Sequence, residues 1–361
     1  MQTITESSTC DFDLFMKKED LDNLETNLET YNYSLPKELI AQYPLEKRDA
    51  SRMLYYKDNK DTISHHTFSD LPDLLSSNDV LVLNNTKVIP ARFYVENEAG
   101  KKIKLLLVSS IGPDPLTWKV LAKPKKHLRS IETLRATSLQ PIKILDSETI
   151  RFNSRQDLEI ILNSIGKMPL PPYIKREQEE LDIDRYQTVF AKESGAVAAP
   201  TASLHFTPEL LEKINAKGIE ILYITLHVGP GTFLPIRTSL IKEHKMIPES
   251  FYIDPEVWHK VLCAKKDKKR VIACGTTTVR ALEYASRINK LSGLTNLYIT
   301  PGFDFHIVNA LITNFHLPKT TLLVLVSAFI GWNKVKKIYE EAIRKKYRFY
   351  SYGDAMFLCR I

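Results

Sequence analysis

The polar residues that follow a predicted buried strand at 80–83 are the first group whose types suit binding chemistry. Asn84, Asn85, Lys87 and Arg92 place two amides and two cations within nine residues of the strand end. Such a cluster is typical of a site that receives a ligand or a phosphate. Asparagines that cap a turn account for the amides equally well.

Two further segments combine glycine with hydroxyl groups directly after predicted strands. Gly229 and Gly231 follow the strand predicted at 219–228, where they permit close backbone approach to a ligand. Thr276 and Thr277 lie where the strand at 271–274 gives way to a helix that carries Arg280. Free N–H groups there favour an anion such as phosphate or carboxylate. The P-loop lysine spacing and the GxGxxG fingerprint are both absent from the sequence.

Residues 186–206 form a stretch of small side chains with aromatic residues at its ends. It contains Tyr186, Gly195, Thr201 and His205, and its composition suits neither an amphipathic helix nor a half-buried strand. We interpret it as a loop that lines a site, with an ordered connector as the alternative. Tyr186 is a candidate for stacking on a base, although an aromatic residue at a loop end is also typical of a core.

The elements around these segments predict an α/β main domain interrupted by a small antiparallel β-barrel. Strands and helices alternate in the second half, whereas short alternating runs separated by turn residues fill 93–155. We therefore predict a discontinuous main domain at 31–92 and 156–361 and an inserted barrel at 93–155. Residues 1–30 are predicted to be a poorly ordered acidic arm.

Charge is distributed unevenly along the chain, whose total is +7. Residues 1–30 hold two lysines against eight acidic residues, whereas 101–155 hold twelve Lys and Arg against four acidic residues. The barrel is therefore expected to contact a nucleic acid backbone through Lys123, Lys125, Lys126 and Arg129. Lysines that only keep the surface soluble explain the charge as well.

Composition excludes several protein classes. The most apolar stretch, 322–330, is too short to span a bilayer, and the N-terminus has no signal-peptide pattern. The four cysteines are scattered without a CxxC pair or a histidine at ligand spacing. We expect a soluble, cytoplasmic monomer with no metal site.

Seven motifs together resemble one family, the S-adenosylmethionine:tRNA ribosyltransferase-isomerases of queuosine biosynthesis. The motifs lie in the family's order and cover nearly everything from Tyr33 onward; they are residues 84–92, 163–174, 186–206, 225–233, 275–280, 313–318 and 347–357.

The resemblance implies a reaction and a set of substrates. The family transfers the ribosyl group of S-adenosylmethionine, a co-substrate, to the aminomethyl group of a 7-deazaguanine at the tRNA wobble position. Isomerisation gives an epoxycyclopentanediol, with release of adenine and methionine. No bound cofactor and no metal are implied. The implied fold is an α/β body interrupted by a small β-barrel.

This chemistry needs a base that removes a proton from the ribose carbon beside the sulfonium, and histidine suits that task. His227, at a strand end, and His205 are the first candidates, and His316 is the third. A structural histidine bonded to backbone groups is the alternative for each. Asn314, in the motif that holds His316, is a candidate substrate ligand.

The chain departs from the family pattern in three places. The acidic arm has no counterpart, Lys87 stands where arginine is common, and Lys104 stands where glutamate is frequent. Lysine keeps the charge at position 87 but loses the bidentate geometry of arginine. Two other functions remain open from the sequence: a different S-adenosylmethionine-dependent tRNA enzyme, such as a methyltransferase, and a non-catalytic RNA-binding protein.

Overall fold

A computed structural model of the chain describes residues 26–97, 100–111, 114–124, 133–137, 140–233 and 235–360. Strands β1 to β17 are, in chain order, Arg52–Lys57, Thr62–Thr67, Asp79–Asn84, Thr86–Val88, Arg92–Glu96, Lys102–Ile111, Asp114–Lys123, Thr133–Thr137, Gln140–Asp146, Thr149–Arg151, Glu193–Ala196, Glu220–Leu226, Glu249–Tyr252, Arg270–Cys274, Ser292–Thr295, Ala310–Asn314 and Ala355–Cys359. Helices α1 to α8 are Leu71–Leu74, Arg155–Ile165, Leu181–Arg185, Pro208–Ala216, Pro255–Lys266, Thr276–Ile288, Thr321–Ile330 and Trp332–Arg344.

A nine-stranded mixed sheet forms the centre of the main body, in the order β15-β13-β12-β3-β14-β16-β17-β1-β2. Its four middle strands, β12, β3, β14 and β16, are parallel. Their carboxyl ends therefore lie along one edge, where ligands bind in open α/β sheets. The apolar run Val80–Leu83 is fully buried because both faces of the sheet are covered.

Helices cover both faces of this sheet, and their starts follow from capping residues. The Thr207 side chain accepts a hydrogen bond from Leu210 N at the start of α4, with Pro208 in the first turn. Thr320 caps α7 in the same way, and Asp254 caps α5. Thr207 with Pro208, and Asp254 with Pro255, are also sequence signals of a helix start, and the prediction of an α/β main body is confirmed.

A second sheet curls upon itself. Strands β5 to β10 are antiparallel and pair in a closed order, β10-β7-β6-β5-β8-β9, with β9 pairing back to β10. Leu158 and Ile161 of helix α2 share the core of this sheet with Phe93 and Phe152. Helix α2 therefore packs with the curled sheet, although the boundary predicted at 155 assigned it to the main body.

The chain begins to pack before the boundary predicted at residue 31. Leu28 and Tyr31 are buried in a short 3-10 helix, and Asn27 pairs with Leu240. Residues 26–30 are therefore ordered, contrary to the predicted arm, because two apolar side chains join the main core. Residues 1–25 lie outside the described part of the chain.

Several strands differ from the sequence-based expectation. The sequence pattern at 297–300 also predicts a strand, and this prediction is wrong, since the strand lies at Ser292–Thr295 and pairs with β13. Strand β2 is polar and largely exposed at the sheet edge, so it lacks the apolar signal of a strand. Glu193–Ala196, expected to be a loop, pairs in parallel with Thr86–Val88.

Candidate active site at the carboxyl edge of the sheet

Asn84 ties together the ends of two central strands. Its Oδ1 accepts hydrogen bonds from Leu226 N at 3.0 Å and Thr86 N at 3.2 Å, and its Nδ2 donates to Leu226 O at 2.9 Å. The side chain is fully buried. Both side-chain polar atoms of Asn84 are occupied by these bonds, so Asn84 positions the two strand ends. Asn85, partly exposed, accepts a hydrogen bond from Thr225 Oγ1 at 2.7 Å.

His227 follows β12 directly and reaches across to β4. Its Nδ1 lies 2.8 Å from Thr86 Oγ1, which in turn lies 3.5 Å from the carbonyl oxygen of Glu193. Thr86 is fully buried, whereas His227 is partly exposed. Among the described residues, no hydrogen-bond partner is found for Nε2 of His227. One ring nitrogen is thus fixed and the other is available.

Gly195 forms the floor beneath the His227 ring. A Cβ built on Gly195 would lie 2.9–3.0 Å from three ring atoms, and the φ of this residue is +152°. Only glycine fits both the contact and the backbone conformation. Burial lowers the pKa of His227, while the nearby Glu193 carboxylate raises it. The net lowering keeps the imidazole neutral at pH 7, as a general base requires.

Glu249, on β13, holds the loop that follows His227. Its Oε1 accepts hydrogen bonds from Gly229 N at 2.8 Å and Thr232 Oγ1 at 3.1 Å, and its Oε2 pairs with Arg280 Nη1. Both members of this ion pair are buried. Arg280 is thus a positioning residue for the loop, and Glu249 carries no motif in the sequence that would have revealed it.

A small cavity lies beside Arg280, next to the first turn of α6. Thr276 and Thr277 line it, as do Arg280 Nη2, Tyr298 Oη and Thr321 Oγ1, which have no hydrogen-bond partner among the described residues. Its volume is about 10 Å³, the room needed by about one water molecule. The cavity is therefore too small for a nucleobase or a ribose ring.

His205, Asn314 and Thr201 form a buried chain of hydrogen bonds. His205 Nδ1 lies 2.8 Å from Ser51 Oγ, and its Nε2 lies 3.2 Å from Asn314 Nδ2. Thr201 Oγ1 donates to Asn314 Oδ1 at 3.0 Å. Burial lowers the pKa of His205 to about 3. With both ring nitrogens occupied, these contacts suit a structural role better than a catalytic one.

His316 and Tyr186 are also enclosed. His316 Nε2 lies 3.1 Å from Thr313 Oγ1, and burial lowers the pKa of His316 to about 3. Tyr186 has no exposed surface and packs edge-on against Tyr352, with ring centroids 6.0 Å apart. Tyr186 lies in the core in this structure, so it offers no face for a base to stack on.

The predicted basic ligands lie further out. Lys87, on β4, is exposed opposite Ser194. Arg92 is the first residue of β5. The predicted ligand Gly231, which is not basic, packs against Ile247 in the loop after His227. Lys123 is exposed at the end of β7. Lys125, Lys126 and Arg129 lie outside the described residues.

The described residues contain neither a metal-ligand cluster nor a membrane-spanning helix. Within the described ranges, no group of three or more His, Cys, Asp or Glu side chains is arranged to hold a metal ion. No helix in that same part of the chain is long and apolar enough to cross a membrane.

Comparison with known proteins places this arrangement in a family. Residues 28–358 match the family model described as queuosine biosynthesis protein. The chain belongs to that family. It is 46% identical over 335 residues to the S-adenosylmethionine:tRNA ribosyltransferase-isomerase of Aquifex aeolicus. The aligned region covers 92% of this chain and 99% of the relative. The enzyme of the same name from Desulfitobacterium hafniense is 45% identical over 342 residues, with the same two coverages.

A solved structure is similar as well. The crystal structure of an S-adenosylmethionine tRNA ribosyltransferase from Thermotoga maritima aligns with a TM-score of 0.54 and 34% identity, covering 91% of this chain and 99% of that one. The family resemblance inferred from the seven motifs is thereby confirmed, together with a mixed α/β fold that carries a curled antiparallel sheet.

Proposed function

We propose that this chain is an S-adenosylmethionine:tRNA ribosyltransferase-isomerase. It transfers and isomerises the ribosyl moiety of S-adenosylmethionine onto 7-aminomethyl-7-deazaguanine at the tRNA wobble position. The products are epoxyqueuosine-tRNA, adenine and methionine. The observation that carries the proposal is the His227 imidazole, held by Thr86 and Gly195 at the carboxyl edge of the sheet, in a chain that belongs to the queuosine biosynthesis family.

His227 is assigned as the catalytic base. When Nδ1–H donates to Thr86 Oγ1, the threonine hydroxyl is free to donate to the Glu193 carbonyl, and Nε2 keeps its lone pair. Nε2 then takes the proton from the ribose carbon beside the sulfonium. The electron pair of the broken C–H bond expels adenine, which takes up a proton as it leaves. The unprotonated amine of the tRNA base then attacks the activated ribose and loses a proton, and the ribose C–S bond breaks to release methionine as the second leaving group. His205 and His316 lack a comparable free and partly exposed ring nitrogen among the described residues.

The co-substrate is expected along the strand ends beside His227. Asn85 is partly exposed there, and Gly229 and Gly231 keep side chains away from the loop. Lys87, on the neighbouring strand, supplies a cation for a phosphate or carboxylate. Asn84, Glu249 and Arg280 support this edge through the buried bonds described above. S-adenosylmethionine acts as a co-substrate, and the reaction requires no bound cofactor or metal.

The curled sheet is proposed to be an inserted domain, with α2 attached, that contacts tRNA. Its expected contacts include Lys123 and, in the adjoining segment, Lys125, Lys126 and Arg129. The remainder of the chain from residue 26 forms the catalytic domain in this proposal. We also propose that the protein acts as a cytoplasmic monomer.

Product analysis tests the proposed function. The chain is incubated with S-adenosylmethionine and tRNA that carries 7-aminomethyl-7-deazaguanine. Equal amounts of adenine and methionine are expected, and both should be absent when the tRNA carries guanine at that position. Formation of S-adenosylhomocysteine would instead indicate a methyltransferase. Binding of the tRNA without release of either product would indicate a non-catalytic RNA-binding protein.

A further inference from the structure

The outer face of the curled sheet carries a row of three aligned side chains. Tyr94 on β5 lies opposite Lys104 on β6, and Lys104 lies opposite Lys123 on β7. Tyr94 is 45% exposed. Neighbouring strands are about 4.8 Å apart, so the row spans roughly 10 Å. An accessible aromatic ring thus lies in line with two cations.

Further positive charge adjoins this row. Arg92 precedes Tyr94 by two residues and therefore lies on the same face. Its backbone exchanges hydrogen bonds with that of Lys167, at 3.1 Å and 2.7 Å, which fixes a fourth cation beside it. Arg92 Nη2 is buried and has no hydrogen-bond partner among the described residues. The nearby Glu177 carboxylate is 4.0 Å from Nη2, and its side chain is 76% exposed.

These charges are not balanced within the described surface. Glu177 is a weak partner because its carboxylate is 76% exposed and lies 4.0 Å from Arg92 Nη2, beyond hydrogen-bond distance. Like charges on directly opposed strand residues destabilise a sheet. Lys104 and Lys123 are such a pair, so their repulsion destabilises this sheet. Burial lowers the pKa of Lys104, and the neighbouring cations lower it further, whereas the Glu177 carboxylate raises it; the net direction is downward. A folded surface that keeps four cations together is complementary to a polyanion.

We propose that Arg92, Tyr94, Lys104, Lys123 and Lys167 form a binding surface, the barrel platform, for the single-stranded loop of the tRNA around the modified base. The lysines contact phosphates, Arg92 adds positive charge beneath them because its side chain is only 11% exposed, and Tyr94 stacks on an unpaired base. The inference rests on the proposed function for the identity of the RNA. It adds a specific face and a stacking residue to the general expectation of a basic barrel.

The position of the platform relative to His227 fits this partner. Val108, on the same strand as Lys104, has its carbonyl oxygen 4.0 Å from where a Cβ of Gly229 would lie. Gly229 is two residues beyond His227. The four residues from Lys104 to Val108 correspond to about 13 Å of strand. A short single-stranded segment spans that distance, so one nucleotide can enter the site while its neighbours contact the platform.

The row next to the platform is apolar. Its apolar members are Leu106, which lies opposite the platform residue Arg92, and Leu121, which lies opposite Leu106 and is 49% exposed. Beyond Tyr94, Glu96 lies opposite Lys102 and offsets its charge. An apolar strip beside the charged platform suits the faces of ribose and base.

Binding of tRNA measured at several salt concentrations tests the charge component. Lys104→Gln should reduce the slope of log affinity against log salt by about 0.7–0.9, the release of one counterion. Lys119→Gln is the matched control, since this exposed lysine lies on β7 near Asp146 and outside the platform. It should leave the slope unchanged. Equal slopes for Lys104→Gln and wild type would overturn the platform.

Substitutions of Tyr94 test the stacking component. Tyr94→Ala should weaken binding about tenfold with an unchanged salt slope, whereas Tyr94→Phe should bind like wild type. A fully paired RNA hairpin stem should show no effect of Tyr94→Ala. Equal losses for stem and tRNA, or no loss with tRNA, would refute stacking. If the wild-type chain neither binds tRNA nor releases adenine, the proposed function is refuted. If the wild-type chain binds tRNA and the Lys104→Gln and Tyr94→Ala variants bind it equally well, only the platform is refuted.

Discussion

Gly195→Ala is expected to impair turnover by displacing the His227 imidazole, the proposed catalytic base. The added Cβ would lie 2.9 Å from the His227 ring, whereas ordinary contacts begin near 3.4 Å, so the ring must move by about half an ångström. A displacement of 1 Å at a reacting group can cost about 100-fold in rate. We therefore expect kcat to fall about 10-fold to 100-fold, measured as adenine release at saturating S-adenosylmethionine and modified tRNA.

The control for this substitution is Gly218→Ala. Gly218 has a φ of +75° and no atom within 4 Å of an added Cβ, so it introduces backbone strain without a contact. Both variants should lose about 1–2 kcal/mol of stability. Only Gly195→Ala should lose turnover. Thr86→Val, which removes the partner of Nδ1, should reproduce the loss. A folded Gly195→Ala protein with turnover within twofold of wild type would refute the placement of His227.

Three other substitutions probe the electrostatics. The acid limb of kcat/KM against pH should lie below the ordinary histidine pKa of 6.5, because burial lowers the pKa of His227. Glu193→Gln should move this limb to still lower pH, because it removes the carboxylate that raises the pKa of His227. Glu249→Gln should reduce the free energy of unfolding in urea by about 3 kcal/mol, since it leaves Arg280 buried without a countercharge. The pKa of His205 is lowered to about 3 in the folded protein, so the free energy of unfolding should decrease as the pH falls from 6.5 toward 3. His205→Gln should flatten this pH dependence, measured by urea unfolding at each pH.

Each of these predictions has a clear contrary result. An acid limb above pH 6.5, or one that Glu193→Gln raises, would contradict the assignment of His227 as a partly buried, neutral base. A stability change below 1 kcal/mol in Glu249→Gln would show that the buried pair does not support the loop. An unchanged pH dependence in His205→Gln would show that His205 is not held neutral by burial.

The sequence predicted elements well where local signals were strong. Thr207 and Pro208 mark the start of α4, and the apolar run at 80–83 marks a buried strand, because capping and hydrophobicity act over a few residues. Strands whose pairing depends on distant partners were missed or misplaced. Ser292–Thr295 is such a case, since it is a strand only because β13 pairs with it.

The candidate site was predictable as a set of segments but not as an arrangement. His227 and Gly195 were both named from the sequence, yet their contact joins residues 32 positions apart and required the structure. The roles of Thr86 and Glu249 arise only from the fold, because neither belongs to a pattern that specifies a hydrogen-bond partner. The three histidines looked alike in the sequence, and burial of His205 distinguishes it from His227.

The most direct test of the account is the turnover of His227→Ala. Adenine release from S-adenosylmethionine with modified tRNA should fall about 100-fold to 10,000-fold, the contribution of a general base. The affinity for tRNA should stay within about twofold of wild type, since the barrel platform is unchanged. A variant that binds tRNA and keeps near-normal adenine release would contradict the assignment of His227 as the base.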